Sequence, residues 1–304
     1  MSQALTYAYY PGCSGLGTSR EYDLSTRAVC EALGIVLADV PDWSCCGSTP
    51  AHTVDHVLSA ALAARNLAKV EAMGRDTVVT PCPSCLTNLR TASHRMADDS
   101  FRERTNALLD APCQNAVTAK SVLQIVVEDY GIERLSRKVV RPLAGLRVAA
   151  YYGCIMNRPP EVMAFDDHEN PMAMDDILSA LGADVRPFPL KVECCGASYG
   201  VARRDIVARL SGRLLDAAAD VGADMVVAAC PLCQMNLDLR QEQINSANRT
   251  SHRMPVLYYT QLMGLALGIP EERLGLDKLC VSPRKVLRAA AGRAEAAKAQ
   301  GSGA

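Results

Sequence analysis

The chain has 304 residues, of which 49% are hydrophobic, and a formal net charge of −1. This length allows two domains, and the near-neutral charge argues against nucleic acid as a partner. Met1–Tyr10 shows no signal peptide, and no apolar run reaches the roughly 18–20 residues that cross a bilayer. We therefore expect a cytoplasmic protein without membrane insertion, in which the odd number of 13 cysteines points to metal or redox chemistry rather than disulfides.

The first third of the chain alternates short apolar runs with helical patterns. Three strands are predicted, at Leu5–Tyr10, Ile35–Val40 and Thr77–Thr80. Two helices are predicted between them, at about Ser25–Leu33, closed by Gly34, and at Val54–Met73. We assign residues 1–100 to a first domain on this pattern.

Residues 101–145 are expected to be a helical connector, with a helix at Ala119–Tyr130. The order of elements then repeats over residues 146–268. Strands are predicted at Leu146–Tyr152, Asp184–Phe188 and Met225–Ala228, and helices at Met172–Leu181, closed by Gly182, and Asp205–Val221. Residues 269–304 are expected to be a helical or flexible tail that frays from Arg288.

This pattern predicts an α/β fold of two tandem homologous βαβ-type domains. Each would have a small parallel sheet flanked by helices, and a pseudo-twofold duplication would relate the two. The cysteines follow the predicted strands, so we expect cysteine loops at the carboxyl ends of the strands, where open α/β sheets hold their ligands.

Ten cysteines repeat in register, five in each copy. The first set is Cys13, Cys45, Cys46, Cys82 and Cys85; the second is Cys154, Cys194, Cys195, Cys230 and Cys233. Cysteine thiolates are the usual ligands of iron–sulfur clusters, and the duplicated spacing predicts one cluster in each half.

The local sequence suits cluster binding. Pro83 and Pro231 follow the first cysteine of each Cys-x-x-Cys, at the first position of a helix whose amino end favours anionic sulfur. Adjacent cysteines chelate one tetrahedral ion poorly but can reach two metals of a larger cluster. Four glycines next to the ligands are expected to allow tight turns or close backbone approach: Gly12, Gly47, Gly153 and Gly196.

Other interpretations of these cysteines stay open at this point. Structural zinc takes four ligands in a tetrahedron, which leaves the fifth cysteine unused. A thioredoxin-like dithiol would use only the Cys-x-x-Cys pair. Three cysteines outside the repeat are expected to be small buried hydrophobic residues: Cys30, Cys113 and Cys280.

Four further residues are candidates around the predicted clusters. His52 and His168 are close in sequence to ligand loops and are possible proton donors to a substrate sulfur, although solvated loop histidines are the commoner case. Asn88 and Asn236 occupy matching places after each Cys-x-x-Cys and are expected to bond the loop backbone or a sulfur atom.

These motifs resemble the CCG domain, with its Cys-x31–39-Cys-Cys-x35–36-Cys-x-x-Cys pattern. A tandem pair is similar to the B subunit of heterodisulfide reductase, and so is the stretch from Phe165 to Pro171. The resemblance covers about Tyr7 to Gly268. The second copy has 34 residues between Cys195 and Cys230, one fewer than the pattern, which a surface loop can absorb.

The resemblance implies that each set of five cysteines holds a noncubane [4Fe–4S] cluster. It also implies cleavage of a disulfide between the two clusters, or oxidation of a thiol or persulfide in reverse. Four cysteines would then be catalytic through the clusters they carry: Cys13, Cys46, Cys154 and Cys195. The implied partners are a flavin-containing subunit, a ferredoxin-like iron–sulfur subunit and a small thiol, disulfide or protein-bound sulfur substrate.

A second function fits the same motifs. Duplicated CCG domains also resemble non-catalytic electron-transfer subunits of flavoprotein dehydrogenases that act on lactate, glycolate, glycerol 3-phosphate or succinate. Those chains often carry a fused ferredoxin-type run of cysteines, which this sequence lacks. That difference favours the heterodisulfide reductase type of subunit.

Overall fold

The computed structural model describes residues 5–301. It contains two four-stranded parallel sheets, with strand orders β2-β1-β3-β4 and β6-β5-β7-β8. The first sheet comprises β1 (Thr6–Tyr9), β2 (Val36–Asp39), β3 (Thr77–Thr80) and β4 (Thr118–Ser121). The second comprises β5 (Arg147–Tyr151), β6 (Asp184–Val185), β7 (Met225–Ala228) and β8 (Val256–Tyr258). We call residues 5–145 the first half and residues 146–301 the second half.

Helices connect the strands in both halves. Those of the first half are α1 (Gly12–Leu16), α2 (Arg20–Leu33), α3 (Ser48–Val54), α4 (His56–Ala72), α5 (Pro83–Arg95), α6 (Asp99–Asn106), α7 (Val122–Gln124), a π-helical segment (Ile125–Tyr130) and α8 (Ile132–Ser136). Those of the second half are α9 (Pro160–Met163), α10 (Ala173–Ala180), the 3₁₀ turn Ala197–Gly200, α11 (Arg204–Asp220), α12 (Pro231–Asp238), α13 (Gln241–Asn248), α14 (Tyr259–Ala266), α15 (Glu271–Leu274), the 3₁₀ turn Leu276–Lys278 and α16 (Arg284–Gly301).

The strand pairing confirms the predicted α/β fold with tandem parallel sheets. Strand β1 pairs with β2 on one side and β3 on the other, and β5 pairs with β6 and β7 in the same way. The central strands are almost completely buried, because helices cover both faces of each sheet. Parallel pairing brings the carboxyl ends of the strands to one edge, and this is where the cysteine loops begin.

The helix predicted within the connector, Ala119–Tyr130, was wrong at its start. Residues Thr118–Ser121 form β4 and pair in parallel with Thr77–Thr80, so the predicted helix from Ala119 begins only at Val122. Ser121 caps that helix by accepting a hydrogen bond from the Gln124 N–H. Pairing with the edge of β3 therefore overrides the helical pattern, and the sheet of the first half extends into the predicted connector.

The two halves share a continuous apolar core. Helix α2 of the first half packs against α14 and α15 of the second, and the buried hydroxyls of Ser25 and Thr260 lie 2.7 Å apart in this contact. Between residues 5 and 301, no helix has the length and apolar character needed to cross a membrane.

The end of the chain is more ordered than expected. The segment predicted to fray from Arg288 is helical as far as Gly301. Ala290 is buried, and Arg293 Nε donates to the Gly145 carbonyl, so this helix is attached to the segment directly before β5. The last three residues lie outside the described residues.

Candidate metal centres

The ten repeated cysteines form two groups, one at the edge of each sheet. The first site is Cys13, Cys45, Cys46, Cys82 and Cys85; the second site is Cys154, Cys194, Cys195, Cys230 and Cys233. In each site the last residue of the Cys-Cys pair and both Cys-x-x-Cys residues are buried. The outer two cysteines are more accessible: Cys13 and Cys45 are exposed, and Cys154 and Cys194 are partly buried.

The buried sulfur atoms of each site approach one another. Cys46 Sγ lies 3.6 Å from Cys85 Sγ, and Cys195 Sγ lies 3.5 Å from Cys233 Sγ. Cys82 and Cys230 are the N-caps of α5 and α12, whose first residues are Pro83 and Pro231 as the sequence predicts. Each helix therefore directs its amino end, with free N–H groups and positive dipole, at these sulfurs.

Gly12 and Gly153 leave room for a ligand sulfur. A Cβ added at Gly12 would lie 2.8 Å from Cys85 Sγ, and one at Gly153 would lie 2.9 Å from Cys233 Sγ. Both residues also have positive φ, +70° and +77°. A side chain at either place would displace the sulfur and strain the backbone.

Gly47 and Gly196 turn the chain directly after the adjacent cysteines. Their φ values are +84° and +96°, and the next residues, Ser48 and Ala197, are also left-handed at +34° and +43°. This turn directs N–H groups at sulfur in the second site, where Gly196 N lies 3.3 Å from Cys194 Sγ and Ala197 N lies 3.4 Å from Cys195 Sγ. Such consecutive N–H groups favour anionic ligands.

Two asparagines add donors at matching positions. Asn88 Nδ2 lies 3.4 Å from Cys46 Sγ and 3.3 Å from the Cys46 carbonyl oxygen. Asn236 Nδ2 lies 3.5 Å from Cys195 Sγ and donates to the Ala197 carbonyl at 2.9 Å. Both alternatives expected of these residues, bonding to loop backbone and to sulfur, are therefore present together.

Hydrogen bonding separates the pKa values of the thiols. The Cys85 thiol, with help from Asn88, lowers the pKa of Cys46 to about 6 against the effect of burial. In the second site the Cys233 thiol lowers the pKa of Cys195 to about 7, and the Cys154 thiol lowers that of Cys194 to about 6. Each Cys-Cys pair therefore contains at least one thiol whose pKa is lowered, and a lowered pKa favours the thiolate, the form in which cysteine binds metals.

Two buried tyrosines hold the loops that carry the adjacent cysteines. The Tyr10 hydroxyl donates to the Ser44 carbonyl and the Tyr151 hydroxyl to the Glu193 carbonyl, each at 2.8 Å and each directly before the Cys-Cys pair. Both tyrosines lie in predicted strands, Leu5–Tyr10 and Leu146–Tyr152, but the sequence indicated no role for them. Their position two residues before the ligand-loop glycine was the only signal.

The two sites lie beside one interface between the halves. The Tyr258 ring is buried between the halves, where it stacks on Tyr22 of the first half with 4.0 Å between ring centroids. Thr87, two residues after Cys85, has its hydroxyl 3.2 Å from the carbonyl oxygen of Ile155, the residue directly after Cys154. Met163 of the second half packs into the same core as Cys46 and Cys82.

The two candidate histidines are placed differently. His52 lies on α3 beside a cavity of about 230 Å³ that Asn88, His56 and Arg95 also line. His168 lies on an exposed loop, with its Nε2 4.0 Å from Glu169 Oε1. The loop geometry of His168 comes from Asp167, whose carboxylate accepts hydrogen bonds from the following N–H groups.

The cysteines outside the repeat are not all alike. Cys30 and Cys113 are buried, as expected, and burial raises their pKa values to about 12 and about 11. The prediction was wrong for Cys280, which is exposed. Its N–H donates to the buried carboxylate of Asp238, so the backbone is held at the surface by a contact that the sequence did not indicate.

The donor set fits iron–sulfur clusters. It provides five sulfurs for each site, turn glycines that admit sulfur, and N–H donors directed at it. Within residues 5–301, no three His, Cys, Asp or Glu side chains are arranged around one point as a single metal ion requires. Each site has one short described contact between sulfur atoms, Cys46–Cys85 at 3.6 Å and Cys195–Cys233 at 3.5 Å.

Comparison with known proteins defines the class. The chain matches the Cysteine-rich domain family, CCG, over residues 7–90 and 148–238, which include all ten cysteines. The fold and the two sites thus define a protein of two tandem cysteine-rich domains. A solved structure of a hypothetical protein from Helicobacter pylori has the same fold, with a TM-score of 0.74 and 14% identity. The match covers 91% of this chain and about half, 52%, of that one.

Several relatives match nearly end to end. The 8-methylmenaquinol:fumarate reductase membrane anchor subunit of Wolinella succinogenes is 35% identical over 92% of this chain and 98% of its own. The B subunit of the ferredoxin:CoB-CoM heterodisulfide reductase of Methanosarcina mazei is 31% identical over 84% and 87%. A protein of Archaeoglobus profundus that is like the heterodisulfide reductase B subunit is 30% identical over 91% and 95%. The chain belongs to this family of iron–sulfur electron-transfer subunits with two CCG domains, which includes the B subunit of heterodisulfide reductase.

Proposed function

We propose that this chain is the B subunit of a heterodisulfide-reductase-like complex. In this role it reduces a disulfide, or oxidises thiol or persulfide sulfur in reverse, between two noncubane [4Fe–4S] clusters held by the first and second sites. The observation that carries the proposal is that two equivalent five-sulfur sites lie beside one interface between the halves. Thr87, near Cys85, contacts the Ile155 carbonyl next to Cys154 there, and the outer thiols of each site are more accessible than the inner ones.

The reaction needs two electrons and two protons. Reduction of R–S–S–R′ breaks the sulfur–sulfur bond and gives one R–SH and one R′–SH. The electrons come one at a time from a ferredoxin-like iron–sulfur subunit, which receives them from a flavin-containing subunit of the same complex. When bound, each cluster would supply storage for one electron.

The chain's own residues hold and orient these groups. The ten cysteines bind iron, and the turn after each Cys-Cys pair, with Asn88 and Asn236, donates hydrogen bonds to sulfur. Such donors stabilise the more negative, reduced state of a cluster. Of the four proposed catalytic ligands, Cys13 and Cys154 are the accessible ones, and Cys46 and Cys195 are the buried ones.

Proton supply is proposed to differ between the sites. His52 is the candidate donor for the first site, because it lines a cavity with Asn88, whose amide reaches Cys46 Sγ. His168 remains the candidate for the second site. The described hydrogen bonds and ion pairs around His168 are with Glu169 and Arg158 of its own region, so its role depends on movement of that loop.

Anaerobic purification followed by electron paramagnetic resonance tests the proposal. We expect about eight irons and eight sulfides per chain, four of each per cluster. Oxidation in the presence of a substrate thiol should produce a paramagnetic signal that is absent without thiol. His52→Ala tests the proton step. His56→Ala is its control, because His56 lines the same cavity. About two zinc ions without sulfide would contradict the assignment of the cofactors.

A second candidate is a non-catalytic electron-transfer subunit of a flavoprotein dehydrogenase complex. The 35% identity to the fumarate reductase subunit of Wolinella succinogenes favours it. In that role the chain would carry about eight irons but give no thiol-dependent signal, and its clusters would be reduced by a partner flavoprotein oxidising a carboxylate such as succinate. The two candidates therefore differ in the thiol experiment, not in metal content.

A further inference from the structure

We infer that Tyr22 and Thr87, two residues of the first half, position the ligand loops of the second site. This role is independent of which sulfur compound or partner the protein serves. Neither residue is one of the repeated cysteines, glycines or asparagines, and neither contacts a ligand side chain of the second site in the described hydrogen bonds. Each instead holds a backbone carbonyl next to a ligand.

Tyr22 reaches the loop before Cys230. Its hydroxyl, on α2, donates to the Ala229 carbonyl at 3.1 Å, and both residues are buried. Ala229 connects β7 to Cys230, the N-cap of α12. The carbonyl of Ala229 is buried and belongs to the peptide that precedes Cys230. The hydrogen bond from Tyr22 therefore helps to fix the orientation of this peptide and the position of Cys230 at the start of α12.

The tyrosine ring is itself held firmly between the halves. It stacks on Tyr258 with 4.0 Å between ring centroids and an interplanar angle of 5°, and it meets Tyr259 edge to face at 6.1 Å. The Ser25–Thr260 contact lies one turn further along α2. These contacts leave the hydroxyl little freedom to move away from Ala229, so the contact transmits the position of α2 to the loop.

Thr87 reaches the loop after Cys154. Its Oγ1 is shared between the Pro83 carbonyl at 2.9 Å, within α5, and the Ile155 carbonyl at 3.2 Å, in the second half. Helix α5 begins at the Cys-x-x-Cys of the first site. The position of Cys154, an outer ligand of the second site, therefore depends on α5, the helix that carries Cys82 and Cys85 of the first site.

The contact in the opposite direction is of a different kind. Met163, on α9 of the second half, is fully buried in the core that contains Cys46, Cys82 and Cys85. This is apolar packing, which is non-directional, whereas the hydrogen bonds of Tyr22 and Thr87 are directional. The geometry of the second site thus depends on the first half through specific bonds.

Cysteine-resolved alkylation of the reduced, metal-free protein tests this inference without any cluster. Tyr22→Phe removes one hydroxyl and keeps the ring stack. We expect Cys230 to be alkylated roughly fivefold faster than in the parent, while Cys82, the equivalent buried ligand of the first site, keeps its rate. Tyr7→Phe is the control, because that partly buried hydroxyl donates to Asp129 within the first half.

Thr87→Val tests the other contact in the same way. We expect faster alkylation of Cys154, by roughly twofold to fivefold, with the rate of Cys13 unchanged. The control is Thr105→Val, which loses only a hydroxyl bond to the Phe101 carbonyl within α6. Unchanged rates, or equal acceleration of all ten cysteines, would overturn the inference.

The cluster-loaded protein provides an independent measurement. Tyr22→Phe should shift the reduction potential or the paramagnetic spectrum of the cluster in the second site. The cluster in the first site should stay as in the parent. Equal changes in both clusters would show that Tyr22 acts on general stability and would also overturn the inference. Because the alkylation test uses no cluster, a wrong assignment of cluster type or substrate would leave its outcome intact.

Discussion

The two sites share a ligand set but differ in how open they are. The outer cysteines of the first site, Cys13 and Cys45, are exposed, whereas Cys154 and Cys194 of the second are partly buried. The segments after the first ligand also differ in length, since α2 begins at Arg20 but α10 begins only at Ala173. Duplication has therefore preserved the chemistry of the ligands and changed the access to them.

The longer segment of the second half also contacts the first. Its helix α9 packs on α5, with Met163 in the core of the first half, and its following loop is held by Asp166, which accepts hydrogen bonds from the Met172 and Ala173 N–H groups. This segment includes the stretch Phe165–Pro171 that resembles the heterodisulfide reductase family. A reactant that approaches from solvent can therefore reach the outer thiols of the first site more easily than those of the second.

The largest expected effect comes from removing one buried ligand of either site. Cys46→Ser and Cys195→Ser should each lose about half of the iron and sulfide, because a serine oxygen is a poor substitute for a thiolate ligand. Metal analysis and the visible absorption spectrum measure this loss. Cys280→Ser, a change at an exposed cysteine outside both sites, should keep the full iron content. Full iron in either ligand variant would contradict two independent sites.

The next effect separates crowding at sulfur from backbone strain. Gly12→Ala and Gly153→Ala place a Cβ within 2.8 Å and 2.9 Å of a ligand sulfur, so each should lose most of the iron of its own site. Gly34→Ala is the control, since its φ is +73° with nothing within 4 Å of the added Cβ.

The control should cost about 1–2 kcal/mol of the free energy of unfolding and retain its iron. Thermal unfolding and iron content, measured on the same samples, check both parts. Equal iron loss in Gly34→Ala would mean that strain, rather than contact with sulfur, explains the result.

Metal removal tests the difference in access directly. An iron chelator should release iron in two phases, the faster by roughly threefold or more, because exposed ligands exchange more readily than partly buried ones. The single-site variants assign the phases: Cys195→Ser keeps the first site and should show the fast phase, and Cys46→Ser should show the slow one. The reverse assignment would refute the access comparison.

The smallest effect concerns the amide donors. Asn88→Ala and Asn236→Ala each remove an N–H that lies 3.4–3.5 Å from a ligand sulfur. The reduction potential of the corresponding cluster should fall by roughly 50 mV, the equivalent of about one hydrogen bond. Redox titration measures the shift, and Asn106→Ala, which removes bonds to the Cys113 backbone, should leave both potentials unchanged.

Much of the fold and most of the candidate site could be predicted because the relevant signals are local. The strands Thr77–Thr80 and Met225–Ala228 have the bounds that the sequence predicts, since each is a short β-branched or apolar run between turns. Pro83 and Pro231 mark the starts of α5 and α12, because proline suits the first position of a helix whatever its distant contacts. The repeat then places equivalent residues in both halves.

The remaining features depend on contacts that are distant in sequence. Residues Ala119–Ser121 continue into a helical pattern, and only pairing with β3 makes them a strand. Cys280 has no local signal for exposure, because its backbone position depends on Asp238. The Tyr22–Ala229 bond spans 207 positions and belongs to no repeated motif, so it could be found only in the folded chain.

The exchange of contacts between the halves has a consequence for how the duplicated unit can be engineered. Each CCG unit relies on residues of the other for part of its core or its loop geometry, through Met163 in one direction and Tyr22 in the other. A fragment containing only one unit would leave its own side of both contacts exposed to solvent. Hybrids that combine halves from different relatives should therefore keep both sides of these contacts from the same parent. The structural unit is the pair of domains and not the single repeat.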